Sequence, residues 1–197
     1  RTMGALLLIE AVFMALALGV SLWYGEADSG VFLLSTIITL LAGVIGLLIG
    51  HRAESRMGER EGYVIVAMVW VVFSAFGLLP YYLSGQVPSL TDAWFESMSG
   101  FTTTGATIIP NLDVITHGLL FWRSLTQWIG GMGIIVLSIA ILPIFGLNGM
   151  QLYAAEVTGL TYEKLSPRIA DTAKMMWSIY LLLTATEVAA LWLCGMD

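Results

Sequence analysis

Residues 100–108 read GFTTTGATI, with four threonines, two glycines and no charge. The stretch lies between long apolar runs at 63–83 and 118–146. β-Branched threonines and an internal glycine disfavour a continuing helix, so the chain is predicted to leave the helix after Phe101. Non-helical backbone at membrane depth survives only where it is buried in protein or lines a watery cavity. The stretch is therefore either a loop closing a helical hairpin or the lining of a path through a bilayer.

The surrounding chain is of membrane type. Of its 197 residues 58% are hydrophobic and only 11% charged, and the mean hydropathy is +0.87. A soluble domain of this size needs more charge to cover its surface. Apolar runs occupy 3–24, 31–50, 63–83, 118–146 and 172–195. A helix of about 20 residues spans about 30 Å of hydrocarbon, so each run is expected to cross. The chain begins at Arg1, which suggests a segment of a longer protein, and no cleavable signal peptide is apparent. The single cysteine, Cys194, excludes an internal disulfide and a multi-cysteine metal site.

Charge sets the expected orientation. Arg52, Arg56 and Arg60 lie between the second and third runs, and Lys164, Arg168 and Lys174 between the fourth and fifth or just inside the fifth. Connections 25–30 and 84–117 carry no Lys or Arg. The positive-inside rule then places the N-terminus and both basic loops in the cytoplasm, with Arg123 alone outside the scheme. Glu26, Asp28, Asp92, Glu96 and Asp113 fall on the opposite side. They are either solvated loop charges or a mouth that concentrates cations.

Within 84–117, PSLTDAWFESMSGF (88–101) reads as a helix of about ten residues, too short to span, with Thr91 as N-cap and Asp92 in its first turn. Pro110 and Asn111 break the chain before the fourth run. Span, short helix, Thr/Gly segment, return and span make a re-entrant loop. The carbonyls of Thr103 and Thr104, with a threonine hydroxyl, can replace the water shell of a potassium ion. Gly105 admits the positive φ that turns the next carbonyl to the same axis. The short helix directs its partly negative C-terminal end toward the same place, which favours a cation.

DAWFESMSGFTTTGATI (92–108) resembles the first pore loop of the Trk/Ktr/HKT superfamily of potassium transporters. FWRSLTQWIGGMGIIVLSIAILPIFGLNGMQLYAAE (121–156) and LSPRIADTAKMMWSIYLLLT (165–184) are similar to the following helix, linker and next repeat of its TrkH branch. The resemblance implies an all-α polytopic membrane protein: a helix–pore loop–helix repeat of potassium-channel type, preceded by two extra transmembrane helices. It divides the chain into two N-terminal helices (1–50), a cytoplasmic loop (51–62), a first repeat (63–146, pore helix about 91–101, filter 102–106), a cytoplasmic linker (147–171) and the first helix of a second repeat (172–197). Gly105 takes the role of the filter glycine, Thr103 and Thr104 the ion ligands, and Thr102 and Ala106 flank them. The implied ion is potassium, in a bacterial inner membrane. The implied partners are membrane lipid, the remaining pore repeats of the same chain, a second copy in a homodimer and a cytosolic nucleotide-binding regulatory subunit. No nucleic acid is implied.

The residues allow other readings. A short chain of this kind could form a tetrameric cation channel, and a membrane scaffold would tolerate Gly105→Ala. An intramembrane enzyme needs an H-E-x-x-H helix, a Ser/His pair or paired aspartates. Neither H-E-x-x-H nor G-x-S-G occurs, and Asp171 is the only aspartate adjoining a span interior, so no enzymatic activity is expected. Glu96 and Arg123 are expected to pair behind the filter and brace it, since an unpartnered buried charge is costly. Gly130, Gly131 and Gly133 serve either close helix packing or a flexible hinge. Glu187 is an intramembrane acid, read as an ion or proton site, as a group near the outer interface or as one paired with another helix. Glu10 is expected to snorkel or pair. His51 and His117 sit at run ends and are not read as ligands. Residues 147–170 are placed along the interface or against a cytosolic partner.

Overall fold

The structure is a computed structural model that describes residues 2–50, 59–141 and 165–195. Every regular element among them is helical. The helices are α1 (Thr2–Tyr24), α2 (Ser29–Gly50), α3 (Glu59–Gly77), α4 (Leu79–Leu83), α5 (Leu90–Phe101), α6 (His117–Ile141) and α7 (Leu165–Leu193), with one 3-10 turn at Leu112–Val114 before α6. The chain divides into two compact units, Arg1–Gly131 and Met132–Asp197.

In the first unit α1 and α2 form an antiparallel pair. The buried residues of α1 include Leu7, Met14, Ala17 and Ser21, and those of α2 are Phe32, Ser35, Thr39 and Gly43. Spacings of three and four keep each set on one helix face. Small residues bring the backbones together: a Cβ on Gly4 would stand 2.5 Å from the Leu47 nitrogen and 2.7 Å from the Gly43 oxygen. The outer faces carry exposed Ile9, Val12, Leu16, Leu33, Leu41 and Ile45. Thr2–Tyr24, Ser29–Gly50 and, in the second unit, Ala173–Leu193 are long and apolar enough to cross a membrane.

The run expected to be continuous over 63–83 is not. It breaks at Leu78, between α3 and α4, with Pro80 in the first turn of α4. The proline has no N–H, and its ring would strike the carbonyl four residues back. Bonds from Leu78 N–H to the Ser74 oxygen and from Tyr82 N–H to the Leu78 oxygen carry the chain through the bend. The indole N–H of Trp122, on α6, donates to the Gly77 carbonyl there at 2.9 Å.

Helix α5 begins two residues earlier than its capping signal suggested. Ser89, not Thr91, is the N-cap: its backbone is extended and its hydroxyl accepts from the Asp92 N–H. A hydroxyl at this place satisfies one orphan donor, while Thr91 is already inside the helix. Ala93, Glu96, Ser97 and Gly100 form the buried face. Phe101 closes the helix, fully buried, with its ring 5.4 Å from Phe73 and 6.3 Å from Trp122.

In the second unit, α7 starts at Leu165, ahead of the expected start at 172. The hydroxyls of Ser178, Thr184 and Thr186 donate to carbonyls one turn back, which satisfies them within an apolar helix. Glu187 is exposed on this helix. His51, Arg52, Arg56 and residues 142–164, which hold most of the expected linker, lie outside the described residues.

Candidate functional site: the loop after α5

Helix α5 ends in a Schellman arrangement. The Thr104 N–H donates to the Ser99 oxygen at 3.0 Å, and the Thr103 N–H to the Gly100 oxygen at 2.9 Å. That motif needs a left-handed residue just past the cap, usually glycine. Here Thr103 occupies it, with φ 56°, and it is the single non-glycine residue of positive φ among the described residues. A β-branched side chain in that region costs on the order of 1–3 kcal/mol and persists only where the surroundings enforce it. Sequence reasoning missed this strain, because threonine signals extended backbone and not a left-handed turn. The positive φ expected at Gly105 is present, at 73°.

The hydroxyls are paired in an order set by proton supply. Thr102 Oγ1 donates to the Met98 carbonyl at 2.7 Å and lies 2.8 Å from Thr104 Oγ1. One hydroxyl has one proton, so Thr104 is the donor in the second contact. Thr103, Thr104, Gly105 and Ala106 are exposed, against a buried Phe101.

The returning strand of the loop is tied back to α5. Ser99 Oγ donates to the Ala106 carbonyl at 2.6 Å. The Glu96 carboxylate accepts the Thr107 hydroxyl on both oxygens at 3.0 Å and the Ile108 N–H at 3.2 Å. Arg123 Nε donates to Glu96 Oε1 at 2.7 Å, with the two side chains 16% and 1% exposed. Glu96 thus joins the short helix, the returning chain and α6. Thr107 and Ser99 went unnoticed in the sequence because nothing local marks their partners.

Helix α6 approaches the end of α5 through glycine. A Cβ on Gly130 would lie 2.0 Å from the Phe101 carbonyl oxygen, and one on Gly100 would lie 2.3 Å from Thr126 Oγ1. Gly131 and Gly133 follow on the same helix.

Two acidic residues expected in water are instead structural. Asp28 is 5% exposed and accepts the hydroxyls of Ser21 and Thr116. Glu26 accepts the N–H groups of His117 at 2.8 Å and Gly118 at 3.0 Å and meets the His117 ring at 2.7 Å. It therefore satisfies orphan donors at the start of α6. With Glu96 also buried, Asp92 and Asp113 are the exposed members of the expected acidic mouth. Among the described residues Glu10 neither snorkels nor pairs: it is 1% exposed, and both carboxyl oxygens are buried with no hydrogen-bond partner among those residues.

Burial raises the Glu26 carboxyl, but the Gly118 and His117 N–H groups and the His117 ring outweigh it and hold the group below its ordinary value. A depressed carboxyl stabilises the fold above its unfolded pKa and ceases to do so as pH falls through its folded pKa. Glu26→Gln should therefore be less stable than the native full-length protein at neutral pH, by about 1 kcal/mol. The gap should begin to narrow in thermal melts as pH falls below about 4.3, the ordinary glutamate value, and go on closing as pH falls through the lower folded value. A gap that persists undiminished to about pH 3 contradicts this account.

The chain matches the TrkH family, described as a cation transport protein, over residues 28–196. It is 45% identical over 199 residues to the Trk system potassium uptake protein TrkH of Salmonella typhimurium, covering 100% of this chain and 41% of that protein. It is 44% identical over 200 residues to the Trk system potassium uptake protein TrkH of Escherichia coli, with the same coverage. The crystal structure of the potassium transporter TrkH from Vibrio parahaemolyticus superposes with a TM-score of 0.83 at 39% identity, over 100% of this chain and 39% of that one. The chain thus spans about two fifths of the length of these curated relatives.

Proposed function

This chain belongs to the TrkH family of cation transport proteins, and on that premise we propose that it forms the first part of a pore through which potassium ions cross a bacterial inner membrane. The observation that carries the reading is the loop itself. A short helix stops at Phe101, and the exposed residues after it turn through positive φ at Thr103 and Gly105. The return is then held to the same helix by Ser99 and Glu96. A turn of exposed, uncharged residues can offer backbone carbonyls to an ion, and carbonyl oxygens can replace the water shell of a dehydrated cation.

In this reading Thr103, Thr104 and Gly105 supply ion ligands. Thr102 and Ala106 flank them, and Glu96 with Arg123 braces the loop. Helices α1 and α2 precede the first repeat, α3 to α6 with the loop make it, and α7 opens the second. The further ligands of the filter come from later repeats of the longer protein. The N-terminus faces the cytoplasm, following the basic loops. A homodimer and a cytosolic nucleotide-binding subunit are the assembly that family membership favours. Passage involves no bond chemistry, so no enzymatic step is assigned.

Expressed at full length in a bacterial strain lacking potassium uptake, the protein should restore growth at low K⁺. Gly105→Ser, present in the membrane at equal amount, should lose that rescue or admit Na⁺. A Cβ at φ 73° is strained even though nothing lies within 4 Å of it, so the effect acts on the backbone of the loop and not on packing. Equal growth and equal Na⁺ exclusion by both forms would reject the filter reading.

A further inference from the structure

We infer that Ser99 is a positioning residue that sets the ion preference of the loop, by holding the turn around Gly105 from both sides. This rests on the filter reading above. Ser99 is 5% exposed on α5 and makes two bonds to the loop. Its carbonyl accepts the Thr104 N–H at 3.0 Å, and its hydroxyl donates to the Ala106 carbonyl at 2.6 Å. The three residues so bracketed, Thr104, Gly105 and Ala106, are all exposed. Among the described residues, no atom beyond the adjacent residues stands within 4 Å of a Cβ built on Gly105. With that space open, hydrogen bonds hold the turn: the two from Ser99 on either side of Gly105, and the Thr104 hydroxyl on Thr102 upstream.

The hydroxyl bond has a second consequence. It ties the Ala106 carbonyl to α5, whereas among the described residues the carbonyls before it, up to Gly105, are held by no such side-chain bond. Discrimination between K⁺ and Na⁺ depends on the number and field of the oxygens around the ion. Without the hydroxyl, the Ala106 carbonyl is free to rotate and the Gly105 peptide loses its downstream anchor. Glu96 begins its hold one residue further on, at the Thr107 hydroxyl and the Ile108 N–H, so it cannot substitute. The sequence carries no hint of this role, since a serine inside a helix ordinarily bonds the preceding turn.

The test is uptake of K⁺ and of Na⁺ by the full-length protein in liposomes, comparing native, Ser99→Ala, Ser99→Thr and Gly105→Ser forms. Ser99→Ala should lower the K⁺ over Na⁺ uptake ratio about fivefold, the equivalent of about 1 kcal/mol. Ser99→Thr, which keeps the hydroxyl, should stay within about twofold of native. A merely structural serine would change the amount of folded protein and leave the ratio alone. If Ser99→Ala keeps the native ratio while Gly105→Ser alters it, the positioning role is wrong and the filter reading stands. If neither alters it, both fall. Should Ser99→Ala fail to accumulate, Ser99→Cys, a weaker donor of similar size, takes its place, and a native ratio there overturns the inference.

Discussion

Replacing Glu96 with glutamine should reduce K⁺ uptake by the full-length protein by about tenfold or more and lower its melting temperature, because three connections depend on that one buried carboxylate. It accepts from the Thr107 hydroxyl, the Ile108 N–H and Arg123 Nε. Glutamine keeps the volume but turns a donor toward groups that already donate, and it leaves Arg123 without its counter-charge. Breaking a buried ion pair by removing one partner costs about 3–5 kcal/mol. Arg123→Gln should cost less, since Glu96 retains the Thr107 and Ile108 bonds.

The same geometry excludes rescue by charge exchange. Arginine at position 96, facing glutamate at 123, would bring donors against the Thr107 hydroxyl and the Ile108 N–H, so the swapped double variant should be no better than Glu96→Gln. The pair is better measured by combining Glu96→Gln with Arg123→Gln. A coupling of about 1 kcal/mol or more in melting experiments is expected for contacting groups. Strictly additive effects would show that the 2.7 Å contact contributes nothing to stability.

The second large effect is expected at Gly130. Alanine there would set its Cβ 2.0 Å from the Phe101 carbonyl oxygen, a backbone atom at the last residue of α5 that no rotamer change can move. Helix α6 must then shift away from the end of α5, the point from which the loop departs. Overpacking of this kind costs about 1–3 kcal/mol and more where backbone is struck. Gly130→Ala should therefore fail to accumulate in the membrane or lose more than about tenfold in uptake. Gly19 supplies the control: nothing stands within 4 Å of its Cβ position, and alanine there should be neutral or slightly stabilising through helix propensity. Normal uptake by Gly130→Ala would mean that the approach is looser than described and would favour a hinge over packing at this position.

Much of the molecule was legible from the chain. Five apolar runs, a half-length helix and an uncharged Thr/Gly segment are local properties. The first two runs and the short helix fall within a few residues of α1, α2 and α5, whereas the third run breaks at Leu78 and α7 begins at Leu165, ahead of the fifth run. Helix α5 was expected to end at Phe101 and does. Gly105 was expected at positive φ and has it. These features follow from side-chain branching, glycine freedom and run length, which act over a turn or two of chain. The bend at Pro80 was open to the same reasoning, but the apolar run around it concealed it.

What the chain left undecided depends on contacts across long separations. Glu26 and Asp28 look like ordinary loop acids, yet Glu26 meets His117 across 91 residues and Asp28 meets Thr116 across 88. Glu96 and Arg123 were paired on charge economy alone, whereas Thr107 and Ile108, which share that carboxylate, carry no charge to betray them. Thr103 adopts a glycine-like conformation because two bonds back to α5 enforce it. Hydropathy and propensity thus determined where the helices are and where the chain must turn. Which oxygens of the turn are held and which are left free was decided by tertiary structure, because a hydrogen bond is directional and its partner can come from anywhere in the fold.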